Sequence, residues 1–383
     1  MKTNQIKFNL KLCAFLLLAT TFIAGCKKDE VAPVDNVTFA NIQVNSNQEV
    51  PTNLSSATGT TNITYEKNSN TLTYTINYSG VTPTAMHFHK GAVGLPGPVA
   101  LEVKAPYTSG MTGTLTLTDA QETDLLAGLW YLNIHSAAFT GGEIRGQVVA
   151  ENFMVISNVV LNSRQEFPQN PSTATGSFNG LFDKTSKKIT YSVVINGFTP
   201  SMLHLHTNEV GANGPVTITL SAAGGTTDAL NATQEADLLA GRLYVNVHSA
   251  TYPNGEIRGQ IATLNQVIYA VAASGAQEVP AVTSAATGSV YAVYNRTTKA
   301  LVYTINFTGV VPRATGGMHF HKGAVGANGG VESGIAGPYT TGMKGTTPAL
   351  TPAQEVDLFG GLWYFNLHSD LFPNGEIRGQ LAR

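Results

Sequence analysis

Tyr131-Leu132-Asn133-Ile134-His135 alternates polar and apolar side chains one by one, the pattern of a strand buried on one face. Side chains two apart on a strand share a face. Leu132 and Ile134 therefore look toward a core, while Tyr131, Asn133 and His135 share the other side. His87-Phe88-His89 reads the same way: Phe88 goes inward and the two imidazoles project together. In Glu143-Ile144-Arg145 the apolar Ile144 is inward and the two charges point out. If these three strands are neighbours, one face of the sheet gathers three imidazoles, an amide, a carboxylate and a guanidinium.

The pattern occurs three times. His204-Leu205-His206 and His319-Phe320-His321 repeat the H-x-H, and His248 and His368 repeat the lone histidine within Asn-x-His-Ser. These triads hold all nine histidines of the chain. Gln48-Glu49-Val50-Pro51 recurs as Gln165-Glu166-Phe167-Pro168 and Gln277-Glu278-Val279-Pro280, each followed by Ala-Thr-Gly at Ala57, Ala174 and Ala286. Gly-Glu-Ile-Arg-Gly-Gln closes each copy from Gly142, Gly255 and Gly375. The copies are too far apart for a solenoid unit of roughly 20 to 50 residues and fit whole domains. The expected division is a leader over 1–26, a tether over 27–36, and domains over 37–152, 153–264 and 265–383.

Each copy reads as mostly strands. Thr58 to Tyr65 and Thr71 to Tyr78 flank the turn-rich Glu66-Lys67-Asn68-Ser69-Asn70 and form a hairpin. One short helix is expected after Thr118, Asn231 and Thr351, each with a glutamine three residues on (Gln121, Gln234, Gln354) to complete a capping box. Leu125-Leu126, Leu238-Leu239 and Leu358-Phe359 would supply its buried face. The fold class is all-β: three tandem antiparallel β-sandwich or barrel domains, each with one short helix. Trp130 and Trp363 match Leu243, which suits a core position better than a platform for sugars.

Lys2, Lys7 and Lys11 precede the short apolar run Leu12 to Ala19, and Ile23-Ala24-Gly25-Cys26 follows. That is a secretory leader, too short for a span of about 20 residues. Its ending resembles a bacterial lipobox, which implies acylation of Cys26 and anchorage to the outer membrane. Lys27-Lys28-Asp29-Glu30 is similar to the signal that sends some such lipoproteins to the cell surface. Cys13 and Cys26 are the only cysteines, so the three domains have neither disulfide nor thiolate. A metal would need nitrogen or oxygen ligands. The net charge is −2 with only 12% charged residues and no basic cluster after the first lysines, which makes nucleic acid a poor partner.

The triads His87, His89 and His135, His204, His206 and His248, and His319, His321 and His368 admit two roles. Three neutral imidazoles suit copper or zinc and leave a coordination position open. The same residues would also make a hydrogen-bonded structural cluster. The Glu143–Arg145, Glu256–Arg258 and Glu376–Arg378 pairs are expected to be exposed and to brace neighbouring strands or a loop, worth about 0 to 1 kcal/mol each.

The ordered set H-x-H, Tyr-x-Asn-x-His-Ser and Gly-Glu-Ile-Arg-Gly-Gln resembles the CHRD domain, first described in chordin, over nearly all of residues 37 to 383. The resemblance implies a β-rich extracellular module without a settled enzymatic activity; chordin itself binds growth factors of the bone-morphogenetic class. The second copy departs from the pattern, with Thr207-Asn208-Glu209 where the others have Lys90-Gly91-Ala92 and Lys322-Gly323-Ala324. A weaker similarity is to copper–zinc superoxide dismutase. It would make His87, His89 and His135 copper ligands and Arg145 a guide for an anionic substrate, but the bridging histidine, zinc-loop ligands and disulfide are missing. The sequence thus points to a surface-anchored, non-catalytic lipoprotein of three modules that binds an extracellular protein or polysaccharide. The alternative is a copper- or zinc-binding protein, possibly redox-active, with one three-histidine site per module.

Overall fold

The computed structural model of the chain describes residues 35–382; the leader, Cys26 and the tether up to residue 34 lie outside the described residues. The first module contains β1 (Asn36–Asn45), β2 (Thr58–Glu66), β3 (Thr71–Ser79), β4 (Pro83–Lys90), β5 (Val99–Val103) and β6 (Met111–Thr116), then α1 (Asp119–Leu126), β7 (Trp130–Ser136) and β8 (Ile144–Val148). All pairings are antiparallel, in the order β5-β4-β7-β8-β1-β2-β3-β6. The same eight-stranded order recurs in the other two modules.

The sheet does not lie flat. Between β8 and β1 the only paired residues are Asn45 and Arg145, so the two halves turn about that point. Tyr74 of β3 then meets Phe88 of β4 edge-on, ring centroids 5.9 Å apart, although β3 and β4 are far apart in strand order. The result is a sandwich. Phe88, Trp130, Leu132, Ile134 and Ile144 from one layer close on Phe39, Ile63, Leu72, Tyr74 and Ile76 from the other. Full burial of one such side chain contributes about 1.5 to 3 kcal/mol. Trp130 and Trp363 are core residues, with Leu243 in the same role.

The helix starts as the sequence predicts. The Thr118, Asn231 and Thr351 side chains accept from the backbone of the glutamine three residues on, whose side chain reaches back to the cap. Thr118→Ala is expected to cost about 1 kcal/mol, measured as a drop in the thermal unfolding midpoint. The helix buries less than expected. Leu125 and Leu238 are buried, but Leu126 and Leu239 are 43% and 47% exposed. Successive helical side chains diverge, and the helix touches the sandwich along one narrow edge. Only the third copy buries both, because Phe359 has the ring of Tyr294 and the guanidinium of Arg296 against it.

Consecutive modules pack against each other within one compact unit. Asn158 donates from Nδ2 to the carbonyls of Asn47 and Glu49, at 3.1 and 2.8 Å. The Asn179 side chain fills the space a Cβ on Gly94 would need. Val93 and Val149 of the first module meet Val155 of the second, with Phe153 and Leu181 beside them. At the next joint Tyr291 donates to the Glu166 carbonyl at 2.6 Å and its ring lies over Gly211. At the start of the array Asn36, Thr38 and Thr64 stand where the second module has Phe153, Val155 and Leu181.

Candidate metal centre

The strand register sets out the polar face in rows. His87 pairs with Asn133, and Asn133 with Arg145; His89 pairs with Tyr131, and Tyr131 with Gln147. The three expected strands are therefore neighbours. The nearest ring nitrogens of His87, His89 and His135 all lie within 4.8 Å of one another, as do those of His204, His206 and His248 and of His319, His321 and His368.

Backbone carbonyls fix the orientation of two rings in each triad. His89 donates from Nδ1 to Gly97 O at 3.0 Å, and His135 from Nδ1 to Thr140 O at 3.0 Å. The second module repeats this with Gly214 and Pro253, at 2.9 and 3.0 Å; the third uses Gly329 and Pro373, at 3.1 Å each. A carbonyl only accepts, so Nδ1 carries the proton and the neutral ring keeps its lone pair on Nε2. Nε2 of His89, His206 and His321 is buried and has no partner. Nδ1 of His87 and of His204 faces Nε2 of His135 and of His248, at 3.2 and 3.1 Å. In the third module His319 Nδ1 and His368 Nε2 are both unpaired. Burial lowers the pKa of His89, His135, His204, His206, His319 and His321 below the ordinary histidine value, and that of His368 to about 4. Rings held neutral are rings available as ligands.

Behind each triad is a three-layer stack. The Tyr131 ring lies parallel to His89 with centroids 5.0 Å apart, and the Arg145 guanidinium covers its other side at 3.4 Å. Tyr244 with Arg258 and Tyr364 with Arg378 repeat it. Arg145 donates to Leu95 O, Ala92 O and Gln147 Oε1 at 2.9, 3.1 and 2.9 Å. Gln147 in turn donates to Gly91 O and Gly128 O. Arginine and glutamine thus hold the loop that carries Gly97, and Gly97 holds His89.

Arg145 braces a loop, one of the two roles expected of the Glu-x-Arg motif, but the expectation of an exposed pair is corrected. Glu143 and Arg145 are 6% and 2% exposed, and Glu256, Arg258, Glu376 and Arg378 are likewise buried. They do not pair: Glu143 Oε1 accepts from Ser55 Oγ at 2.6 Å, and Arg145 serves the loop. Alternation correctly turns them away from the apolar core, but loops close over that face too. With its donors directed at carbonyls and its guanidinium buried, Arg145 is not placed to guide an anionic substrate, as the dismutase resemblance implied.

A further residue belongs to the face. Glu49 follows the 3-10 turn Ser46–Gln48 and is 4% exposed, as is Glu166; Glu278 is 6%. Burial pushes each of their carboxyls up to about 7, against the pull of Arg145, Arg258 and Arg378. The recurring Gln-Glu-x-Pro was the signal available in the sequence.

Fold and face together define an all-β protein of three modules, each with a three-histidine cluster on the polar side of its sandwich. The chain belongs to the CHRD domain family, which it matches over residues 41–148, 157–261 and 269–381. Neither a curated protein nor a solved structure matches the chain.

Proposed function

We propose that this is a metal-binding protein that holds one copper or zinc ion in each three-histidine site, carried at the cell surface on an acylated Cys26. The observation that carries the reading is the thrice-repeated convergence of three ring nitrogens, with two of the three rings in each triad fixed by a carbonyl on their other nitrogen. Such outer hydrogen bonds set tautomer and ring orientation in metal-ligating histidines. His87 Nδ1, His89 Nε2 and His135 Nε2 would be the ligand atoms, with the matching atoms in the other modules. A bound ion would offer an open coordination position to an outside ligand. Nitrogen ligands favour copper over zinc in affinity.

Partner binding came first from the sequence, and the His87–His135 and His204–His248 hydrogen bonds favour it as a second reading. On that reading the histidines close a polar cluster in a module that binds an extracellular protein or polysaccharide.

Metal content by mass spectrometry separates the two. The chain from Lys27 onward, purified without chelator and offered copper and zinc, is expected to retain close to one ion for each triad. His89→Ala, His206→Ala and His321→Ala should each remove one ion's worth with the fold intact by circular dichroism. No retained metal, or a content indifferent to these substitutions, would overturn the metal reading and leave the structural cluster.

A further inference from the structure

In every module a buried glutamate lies against the asparagine of the Asn-x-His strand, and the pair is one donor short. Asn246 Nδ2 is 3.5 Å from Glu166 Oε2, and Asn366 Nδ2 is 3.4 Å from Glu278 Oε2; Asn133 donates to Glu49 in the same way. The other oxygens, Glu49 Oε1 with Asn133 Oδ1, Glu166 Oε1 with Asn246 Oδ1 and Glu278 Oε1 with Asn366 Oδ1, are buried and unpartnered. In the first module both crowd one point: a Cβ on Gly142 would be 2.6 Å from Asn133 Oδ1 and 2.8 Å from Glu49 Oε1. The other two modules repeat this at Gly255 and Gly375.

Orphaned buried acceptors cost about 1 to 3 kcal/mol each, and six of them in three matched pairs call for one cause. Turning the amide over does not help. A carboxylate brings two acceptors and no donor, so one of its oxygens faces the amide oxygen in either orientation. A single proton on the carboxyl removes the conflict.

We propose that Glu49, Glu166 and Glu278 are carboxylic acids in the folded protein, each donating its O–H to the asparagine oxygen while the asparagine N–H₂ donates back. The two hydrogen bonds close a ring, and both orphans are satisfied. The surroundings agree. The charged group that acts on Glu49 is Arg145 from β8, with the Val50 N–H also directed at it; Arg258 and Arg378 take that place in the other modules. Tyr291, a further titratable neighbour of Glu166, donates to its backbone carbonyl. Each arginine spends donors on loop carbonyls and a glutamine, so it makes no ion pair with the glutamate. Burial raises the carboxyl from 4.5 to about 7. A folded-state pKa above the unfolded one gives stability that is full below pH 4.5 and lost as the pH rises to about 7.

The test uses the chain from Lys27 onward stripped of metal, so that it is independent of the metal reading. Infrared spectra in heavy water at pH 6 should contain a carboxylic-acid carbonyl band, when exposed carboxyls are already ionised. The band should be missing from the E49Q/E166Q/E278Q variant. Glutamine supplies the donor permanently, so this variant should be at least as stable as the parent at pH 8. The depressed histidines act alike on both proteins, so the urea midpoint of the variant should rise relative to that of the parent between pH 4.5 and 7. Absence of the band from the parent overturns the proposal, as does a folded variant that loses stability at pH 8. If the variant does not fold, the parent's band and its disappearance above pH 7 decide the matter.

Discussion

Arg145→Met is expected to lower the stability of the chain by about 3 kcal/mol or more, since three buried acceptors lose their donor at about 1 to 3 kcal/mol each. The substitution keeps the volume of the side-chain stem but leaves Leu95 O, Ala92 O and Gln147 Oε1 without their donor. It also strips the cation from the Tyr131 ring. Arg145→Lys should recover little, because an ammonium can neither lie flat on the ring nor reach three acceptors in a fork. The urea midpoint measures the loss, and faster amide exchange at residues 92 and 95 locates it. Metal affinity of the first site should also weaken by about 10- to 100-fold, since Gly97 steers His89 from that loop. A change below about 0.5 kcal/mol, typical of the surface, would sink the assignment of Arg145 as the brace of the site.

Gly142→Ala should be nearly as damaging, at about 2 to 4 kcal/mol. Gly142 has φ +134, which L side chains rarely adopt, and its Cβ would come within 2.5 Å of the Asn133 side chain. Strain of that kind costs about 1 to 3 kcal/mol by itself, and the Glu49–Asn133 pair must shift as well. Gly141→Ala is the control, since nothing lies within 4 Å of its Cβ position; it should stay within about 0.5 kcal/mol. Thermal unfolding of the two variants side by side checks this. Equal midpoints would mean that the turn yields freely and that the face has room to spare.

Much of this face was legible in the sequence because it depends on alternation. His87, Phe88 and His89 take their sides by period two, and β4, β7 and β8 lie in the order needed to gather the triad. The helix caps were legible because they are contacts between residues three apart. Alternation says which side of a strand a residue takes, but not what lies above that side. Hence Glu143 and Arg145 read as exposed, although loops 46–56 and 91–97 cover them. Glu49 was missed as a member of the face for a related reason. It reaches Asn133 only because β1 meets β8 at Asn45 and Arg145, a contact between ends of the module that no local pattern encodes. Its repetition in all three copies was visible, but its partner was not.

The joints between modules bear on how such a gene can lengthen. A duplicate of the second module placed after the first would bring Phe153, Val155 and Leu181, the residues that already cover Val93 and Val149. A duplicate of the first would bring Asn36, Thr38 and Thr64 to the same place and leave those valines against polar side chains. Expansion next to the first module is thus better served by a copy of the second module than by a copy of the first.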